Sequence, residues 1–368
     1  MAISGRVEVP RRILIVLMGA IGDVIRALPL LGRIRRARPD AFIGWAVEPK
    51  SEPLLRGHKW VNQLIVYNRR YAPWMFVPFL RNVRSGHFDL VLDLQRHFKS
   101  GMISLISGAP DRLAFAPCNS KEFNHLFATR HIAAQPNMRL KLLQYQAFAD
   151  ALQLPDAPIE FGLELPQTED AHARSFLEGA PRPLLGVILG SSWPSRIYFA
   201  ESIAAVIRSL ASEIEGTPAF FPVLLGGREE QRLAESVIRH LAEIPHLDLT
   251  GRTTLRDLIG IFDECAVAFG PDSGPMHLAA AVGCPVVSLW GSTAPERSAP
   301  WQFGDFAIRA EIPCHPCYLR ECPIGRECLR RISPETIAKT IRRAHTSWGP
   351  LRAAARHRVW DQNQQSGR

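Results

Sequence analysis

Phe269-Gly270-Pro271-Asp272-Ser273-Gly274-Pro275-Met276-His277, continuing into the small and apolar residues 278–282, is the stretch from which the fold is read. An apolar strand over 266–269 stops at an Asp-Ser-Gly turn. Pro275 then stands near the first position of a helix, where its missing N–H costs nothing, and the free N–H groups of that helix start point outward. The arrangement suits a diphosphate, with Asp272 beside it able to bind sugar hydroxyls. The alternative is a helix simply capped by Asp272 or Ser273.

On both sides of this stretch, apolar runs alternate with helical-period segments, the pattern of parallel sheets with crossover helices. The second half has strands over 184–189, 222–225, 247–249, 266–269 and 286–289. The first half has strands over 13–18, 42–47, 64–67 and 88–94, with helices near 23–38, 75–84 and 140–151. Between the halves lies a stretch rich in acidic residues and proline, with Pro155, Pro158, Pro166, Pro181 and Pro183. The fold class is therefore α/β, with two doubly wound parallel-sheet domains. The expected boundaries are an N-terminal domain over 1–160, a linker region over 161–183, a C-terminal domain over 184–348 and a loose, basic and polar tail over 349–368.

Length and composition agree with two buried cores. The chain has 368 residues, 46% hydrophobic and 21% charged, which excludes a disordered tail protein and a small disulfide scaffold. Its longest apolar run, 13–22, is about half of the roughly 20 residues that span a bilayer. Arg11 and Arg12 before that run imitate a signal peptide, but no polar cleavage region follows, and the run reads as a buried first strand. A cytoplasmic protein is expected. The formal net charge of +9 is unevenly placed: residues 1–160 carry +10 and the remainder −1. One lobe is thus suited to an anionic partner, whether nucleic acid, a phosphorylated sugar or an acidic membrane surface, unless the excess is merely a solvated face.

Three further turns carry candidate chemistry. The first strand ends in Gly19-Ala20-Ile21-Gly22-Asp23 before a helix. One glycine of the dinucleotide fingerprint is missing, and Asp23 puts a carboxylate where a pyrophosphate would sit. A carboxylate held ionised at a helix start, beside glycines that let a substrate approach, suits a general base; the plain reading is an N-terminal helix cap. Gly190-Ser191-Ser192-Trp193-Pro194-Ser195-Arg196 follows another strand and offers hydroxyls and a cation to a phosphate, or is only a turn-rich loop. After Leu225-Gly226-Gly227, either Glu229 or Glu230 can hold ribose hydroxyls, though acids are common in any first helical turn.

Together these segments resemble glycosyltransferase family 9, the bacterial lipopolysaccharide heptosyltransferases and their relatives. The resemblance runs from Arg12 to about Arg343. It rests on Gly22-Asp23 with Leu28-Pro29, on Leu225-Gly226-Gly227, on Thr250-Gly251-Arg252-Thr253-Thr254-Leu255, on Asp272 through Ala279, and on Pro285-Val286-Val287 with Gly291-Ser292-Thr293. It implies a GT-B arrangement of two Rossmann-like domains facing a cleft, the first binding acceptor and the second a nucleotide-sugar. It implies an inverting, metal-independent transfer of a heptose or related sugar from an ADP-sugar donor to a lipopolysaccharide core, by a cytoplasmic enzyme with peripheral contact at the inner membrane and no nucleic acid partner. Other nucleotide-sugars with another glycan, or binding without turnover, remain as alternatives.

Carried over by motif, Asp23 is the base. Ser191, Ser192 and Arg196 hold phosphate, Glu230 the ribose and Thr253 the adenine pocket, while Asp272, Ser273, Gly274, Pro275 and His277 embrace diphosphate and sugar. Gly19, Gly22, Arg69, Arg70, Arg96 and Lys99 are the candidate acceptor contacts, the cations because they lie near strand ends in the basic lobe. Two departures stand out: many relatives have Lys in place of Arg196 and a small residue in place of Pro271. Arg keeps the charge and grips phosphate bidentately.

The residues agree with the implied mechanism. No Asp-x-Asp occurs, so the usual carboxylate pair for a catalytic Mg²⁺ is missing, and helix amides with Arg196 must meet the leaving-group charge. No cofactor is expected to be required. Cys314-x2-Cys317-x4-Cys322-x5-Cys328 is a candidate structural zinc site, with reduced thiols or an adventitious disulfide as the alternative. Cys118, Cys265 and Cys284 read as packing residues. The aromatic run 71–80, bracketed by Arg69, Arg70, Arg81 and Arg84, reads as an interfacial anchor or, preferably, as a helix packed on the first sheet.

Overall fold

The computed structural model describes residues 11–68, 76–214, 216 and 218–365, with backbone alone for 350–365. The chain divides into two compact units, Met1–Leu163 and Glu164–Arg368. Among the described residues no helix is long and apolar enough to cross a membrane.

The first unit comprises β1 (Arg12–Val16), α1 (Ile21–Ala37), β2 (Phe42–Val47), α2 (Glu52–Leu55), β3 (Gln63–Val66), α3 (Phe76–Ser85), β4 (Leu90–Asp93), α4 (Phe98–Ser107), β5 (Asp111–Ala114), β6 (Arg130–His131) and α5 (Lys141–Ala151). Its six strands are all parallel in the order β3-β2-β1-β4-β5-β6. Alternate residues of β1 face opposite layers. Ile13, Ile15 and Leu17 pack with α1 and α5, whereas Leu14, Val16 and Met18 pack with Phe79 and Val83 of α3 and Ile103 of α4. The loop after β1 is pinned from both sides. The fully buried Trp45 donates its indole N–H to Leu17 O at 2.9 Å, Met18 N donates to Gln95 Oε1 at 2.8 Å, and Glu48 N donates to Met18 O at 2.8 Å.

The second unit comprises α6 (Gln167–Ser175), β7 (Leu184–Ile188), α7 (Ala200–Leu210), β8 (Phe221–Leu225), α8 (Gln231–Leu241), β9 (Leu247–Asp248), α9 (Asp257–Glu264), β10 (Cys265–Pro271), α10 (Gly274–Ala281), β11 (Val286–Trp290), α11 (Pro295–Ser298), β12 (Ala307–Arg309), α12 (Glu327–Arg330) and α13 (Pro334–Gln365). Its parallel sheet has the order β12-β11-β10-β7-β8-β9. Both units therefore share one doubly wound topology, whose strand order reverses between β1 and β4 in the first and between β7 and β10 in the second. Loops at the carboxyl ends of strands flanking such a switch point splay apart and leave a crevice for ligands.

Four differences from the sequence reading have physical causes. The segment expected as linker contains α6, whose Ala173 is buried against α9 so closely that a Cβ on Gly260 would stand 2.6 Å from it. Flanking prolines masked a helix with acids in its first turn and Arg174 in its last. The tail expected to be loose beyond Trp348 continues α13 to Gln365, in keeping with the helix propensity of its Ala, Arg and Gln residues. Short strands β5, β6 and β12 escaped notice because they are only partly buried and carry Asp or Arg. Helix α4 escaped because Gly101 and three serines dilute its apolar period.

Candidate functional site

In the first unit, Asp23 stands in the first turn of α1, on the loop pinned beneath the β1/β4 switch point. Its Oδ1 accepts from Arg26 Nη1 at 2.6 Å and from Lys141 Nζ at 2.8 Å. Burial alone would raise the Asp23 pKa, but the charges and hydrogen bonds of Lys141 and Arg26 overcome it and hold the carboxyl well below the usual range. Tyr145, one helical turn beyond Lys141 on α5, also hydrogen-bonds Asp23, and burial together with that negative charge pushes its phenol pKa up. Asp23 is thus an ionised carboxylate set between two cations and a neutral phenol.

The acceptor candidates fall into three groups. Arg96 joins the Asp23 cluster through α5: it reaches Gln144 Oε1 and lies over the Phe115 ring at 3.6 Å. Gly19 and Gly22 are on the pinned loop and first turn of α1, with Gly22 buried. Lys99 stands over the Tyr67 ring at 3.5 Å. Arg69 and Arg70, like residues 71–75 of the aromatic run, lie outside the described residues; Phe76 and Phe79 of that run pack on Tyr67 in a helix against the sheet. Sequence reasoning missed Lys141, Gln144 and Tyr145. Their signal was a cation, an amide and a phenol at i, i+3 and i+4, which share one helix face.

In the second unit, the loop after β7 and the turn after β10 meet across the switch point. Ser191 Oγ donates to Asp272 O at 2.9 Å, and Arg196 Nη1 lies 3.1 Å from Asp272 Oδ2. Gly270 permits this approach, since a Cβ there would stand 2.4 Å from Ile188 O. Thr293 Oγ1 donates to Asp272 Oδ2 at 2.8 Å, and His277 Nε2 lies 3.9 Å from Oδ1. Asp272 is therefore a buried anchor for Arg196, Thr293 and His277, a role that its motif did not suggest. The Arg196 guanidinium also lies 4.0 Å over the Trp193 ring, which leaves it a fixed direction.

Ser273 is the residue before α10, yet it makes no side-chain cap, and its buried Oγ has no hydrogen-bond partner. The capped-helix alternative thus fails for Ser273. A buried hydroxyl without a partner costs roughly 1–3 kcal/mol, a cost removed when a ligand oxygen accepts from it. Gly274 and Pro275 open α10 beside it.

Glu230, rather than Glu229, turns back toward the strand ends. Its Oε2 accepts from Gly227 N at 2.7 Å, and a Cβ on Gly190 would stand 2.3 Å from its Oε1. Burial raises the Glu230 pKa, partly opposed by the Gly227 N–H. Glu229 and Ser192 are exposed and Thr253 is half-buried.

The four-cysteine segment acts structurally on this site. Ser195 is buried; its Oγ donates to Leu319 O at 2.7 Å and lies 2.9 Å from Ser292 Oγ, while its N–H donates to Arg320 O at 3.1 Å. Tyr318 N donates to Ser292 O at 2.8 Å, and Arg326 Nη1 donates to Ile197 O at 2.6 Å. The segment thereby clasps the loop carrying Arg196 to the loop carrying Thr293. Its cysteines are free thiols, and among the described residues no three His, Cys, Asp or Glu side chains are grouped to hold a metal ion. Cys314 is exposed, Cys328 is buried on α12, and Cys322 Sγ accepts from Arg326 N; burial and the neighbouring thiols of Cys322, Cys314 and Cys317 raise the Cys328 pKa. Cys265 and Cys284 are buried as expected, whereas Cys118 is exposed.

Comparison with known proteins places this geometry. The profile of glycosyltransferase family 9 (heptosyltransferase) matches residues 77–327. The chain is 26% identical over 294 residues to the lipopolysaccharide core heptosyltransferase OpsX of Haemophilus influenzae, covering 80% of this chain and 83% of that protein. It has the fold of a family 9 glycosyltransferase from Veillonella parvula, with a TM-score of 0.78 and 21% identity over 92% of this chain and 97% of the other. It likewise has the fold of the Escherichia coli ADP-heptose lipopolysaccharide heptosyltransferase II, with a TM-score of 0.73 and 20% identity over 91% and 99%. Two Rossmann-like sheets of one topology are the GT-B class, and with more than half of its length matched by the profile, the chain belongs to glycosyltransferase family 9 and is a glycosyltransferase.

Proposed function

We propose that the protein moves a heptose or closely related sugar from an ADP-sugar to a lipopolysaccharide-core acceptor, with inversion and without a catalytic metal, at the cytoplasmic face of the inner membrane. The observation that carries the donor half is the unpartnered, buried Ser273 Oγ at the start of α10, beside an Arg196 aimed by Asp272 and Trp193. Ser273, the first N–H groups of α10, Ser191, Ser192 and Arg196 would receive the diphosphate and offset the charge that grows on it as the glycosidic bond breaks. Glu230 would take the ribose hydroxyls and the turn around Thr253 the adenine. The sharing of family with a lipopolysaccharide core heptosyltransferase, and of fold with an enzyme named for ADP-heptose, supports these identities.

The acceptor half rests on Asp23. A carboxylate stabilised by Lys141 and Arg26 is a weak base, so it takes the proton only as the acceptor oxygen bonds to the anomeric carbon and becomes strongly acidic. The same cations keep Asp23 ionised and ready. Attack by that oxygen and departure of the diphosphate from opposite faces invert the anomeric centre, with no sugar–enzyme bond. Arg96 and Lys99 would meet anionic groups of the acceptor.

The test is incubation with ADP-heptose, other nucleotide-sugars and a lipopolysaccharide-core acceptor, reading nucleotide release and the anomeric configuration of the product. Acceptor-dependent ADP release with inversion is expected. Preference for another nucleotide-sugar would reassign the donor, and nucleotide binding without turnover would refute the transferase reading.

A further inference from the structure

The solvent face of the first unit carries a patch that neither the core nor the Asp23 cluster uses. Glu122 ties the 121–127 turn to the start of α4: its Oε1 lies 3.1 Å from His97 Nδ1, and its Oε2 accepts from Phe98 N at 3.2 Å. The tie sets Phe98 edge-on to Phe127, with ring centroids 5.2 Å apart. Around it Phe98, Phe123 and Leu126 are 50%, 72% and 70% exposed. Phe123 is also held at φ 57°, a left-handed backbone that a bulky aromatic rarely adopts. Leu105, two turns along α4 from Phe98 and hence on its face, is exposed, as is Val77 on α3.

Helices α3 and α4 share one side of the sheet, because Phe79, Val83 and Ile103 pack into the same cluster with Leu14, Val16 and Val91. Their outer faces therefore form one surface. Across 76–85, 98–107 and 121–127 the charged residues are Arg81, Arg84, Lys99, Lys121 and Glu122: four cations and a carboxylate already engaged by His97 and the Phe98 N–H. Monomer surfaces seldom keep so many large apolar side chains together in water without a use for them.

We infer that this surface, formed by α3, α4 and the 121–127 turn, seats the first unit on an anionic lipid bilayer. Phe98, Phe123 and Leu126 enter the headgroup region, and Arg81, Arg84 and Lys121 meet lipid phosphates. Apolar tips interleaved with cations fit a fluid anionic interface, where each cation finds a phosphate and each tip an acyl boundary; a protein partner would need a fixed complement to both. The excess of +10 over residues 1–160 adds attraction at longer range. The inference deepens the proposed function and rests on the reading that the acceptor is borne on lipid.

The test is sedimentation of the full chain with phosphatidylcholine vesicles, with and without phosphatidylglycerol, alongside transfer to acceptor dispersed in detergent. Wild-type protein should bind the anionic vesicles, less so at high salt. Phe123→Ser with Leu126→Ser should lower the partition by about tenfold or more, and Lys121→Glu by about fivefold, while transfer in detergent persists. Phe123→Trp gives a second readout independent of that pair, a blue-shifted emission on adding anionic vesicles. Failure of the wild type to bind would overturn the inference and leave the patch to a protein partner. Undiminished binding by the double variant, or no blue shift, would overturn it too. Transfer in detergent without vesicle binding refutes this inference alone; vesicle binding with no transfer refutes the proposed reaction alone.

Discussion

Lys141 Nζ lies 2.8 Å from Asp23 Oδ1, joining the first turn of α5 to the first turn of α1 across 118 positions of sequence. The contact turns a helix-start carboxylate into one whose ionisation is governed by a remote lysine.

Replacing that lysine should therefore be read against pH. Because the Asp23 pKa is lower in the folded state than in the unfolded chain, the pairing contributes stability above the ordinary aspartate value of about 3.9 and loses it as pH falls toward the folded value. Lys141→Met should be less stable than wild type at neutral pH, and the gap should close below about pH 4. The acid limb of kcat/KM should move to higher pH, since Asp23 then holds its proton more tightly. Unfolding curves at several pH values together with the rate profile check both; an unmoved acid limb would detach Asp23 from proton transfer.

Asp23→Asn keeps the shape of the site and removes the base. Turnover should fall by roughly 10² or more, while donor affinity changes within a few fold. Single-turnover rates with titration calorimetry of the nucleotide separate the two, and near wild-type turnover would take Asp23 out of the reaction.

On the donor side, Ser195 is a positioning residue that acts through Arg196 and Ser292. Ser195→Ala removes hydrogen bonds to Leu319 O and Ser292 Oγ, costing about 1–2 kcal/mol of stability. The donor KM should rise several-fold with kcat at saturating donor retained, and Ser195→Thr should recover part of the loss. An equal fall in kcat and no change in KM would contradict the positioning role.

Gly190→Ala tests Glu230. The added methyl would stand 2.3 Å from Glu230 Oε1, whose carboxylate is also held by the Gly227 N–H, so the carboxylate must move away. Nucleotide affinity should drop by about tenfold, equivalent to about 1.4 kcal/mol. A deoxyribose analogue of the nucleotide should lose less than the ribose form; equal losses would free Glu230 from the sugar.

Treatment with a chelator should leave transfer intact, because Arg196 and the start of α10 are proposed to supply the charge that a metal would otherwise supply. Activity lost in chelator and restored by Mg²⁺ would reverse that assignment.

The sequence by itself determined the central strands of both sheets and the turns at their carboxyl ends, though not the short strands β5, β6 and β12 or helices α4 and α6. The apolar runs of β1, β7 and β10, the glycine-bearing strand ends and the proline at the start of α10 are local properties, fixed by sterics and by which backbone groups need partners. So Asp23, Ser191, Arg196 and Asp272 could each be placed at a strand's carboxyl end from sequence, and the family resemblance rested on those same turns. What only the tertiary structure decided is which of these ends meet. Parallel strands pair through long crossovers, so the adjacency of β7 with β10 follows from packing of the whole layer and leaves no mark within either segment. Hence the sequence offered Asp272 as a sugar ligand and left unseen that it also anchors Arg196. Lys141 and Tyr145 looked like ordinary helix residues, because spacing along the chain is silent about where side chains point. Charge pairing and burial act through space over a few ångströms, and only the fold says which residues fall within that range.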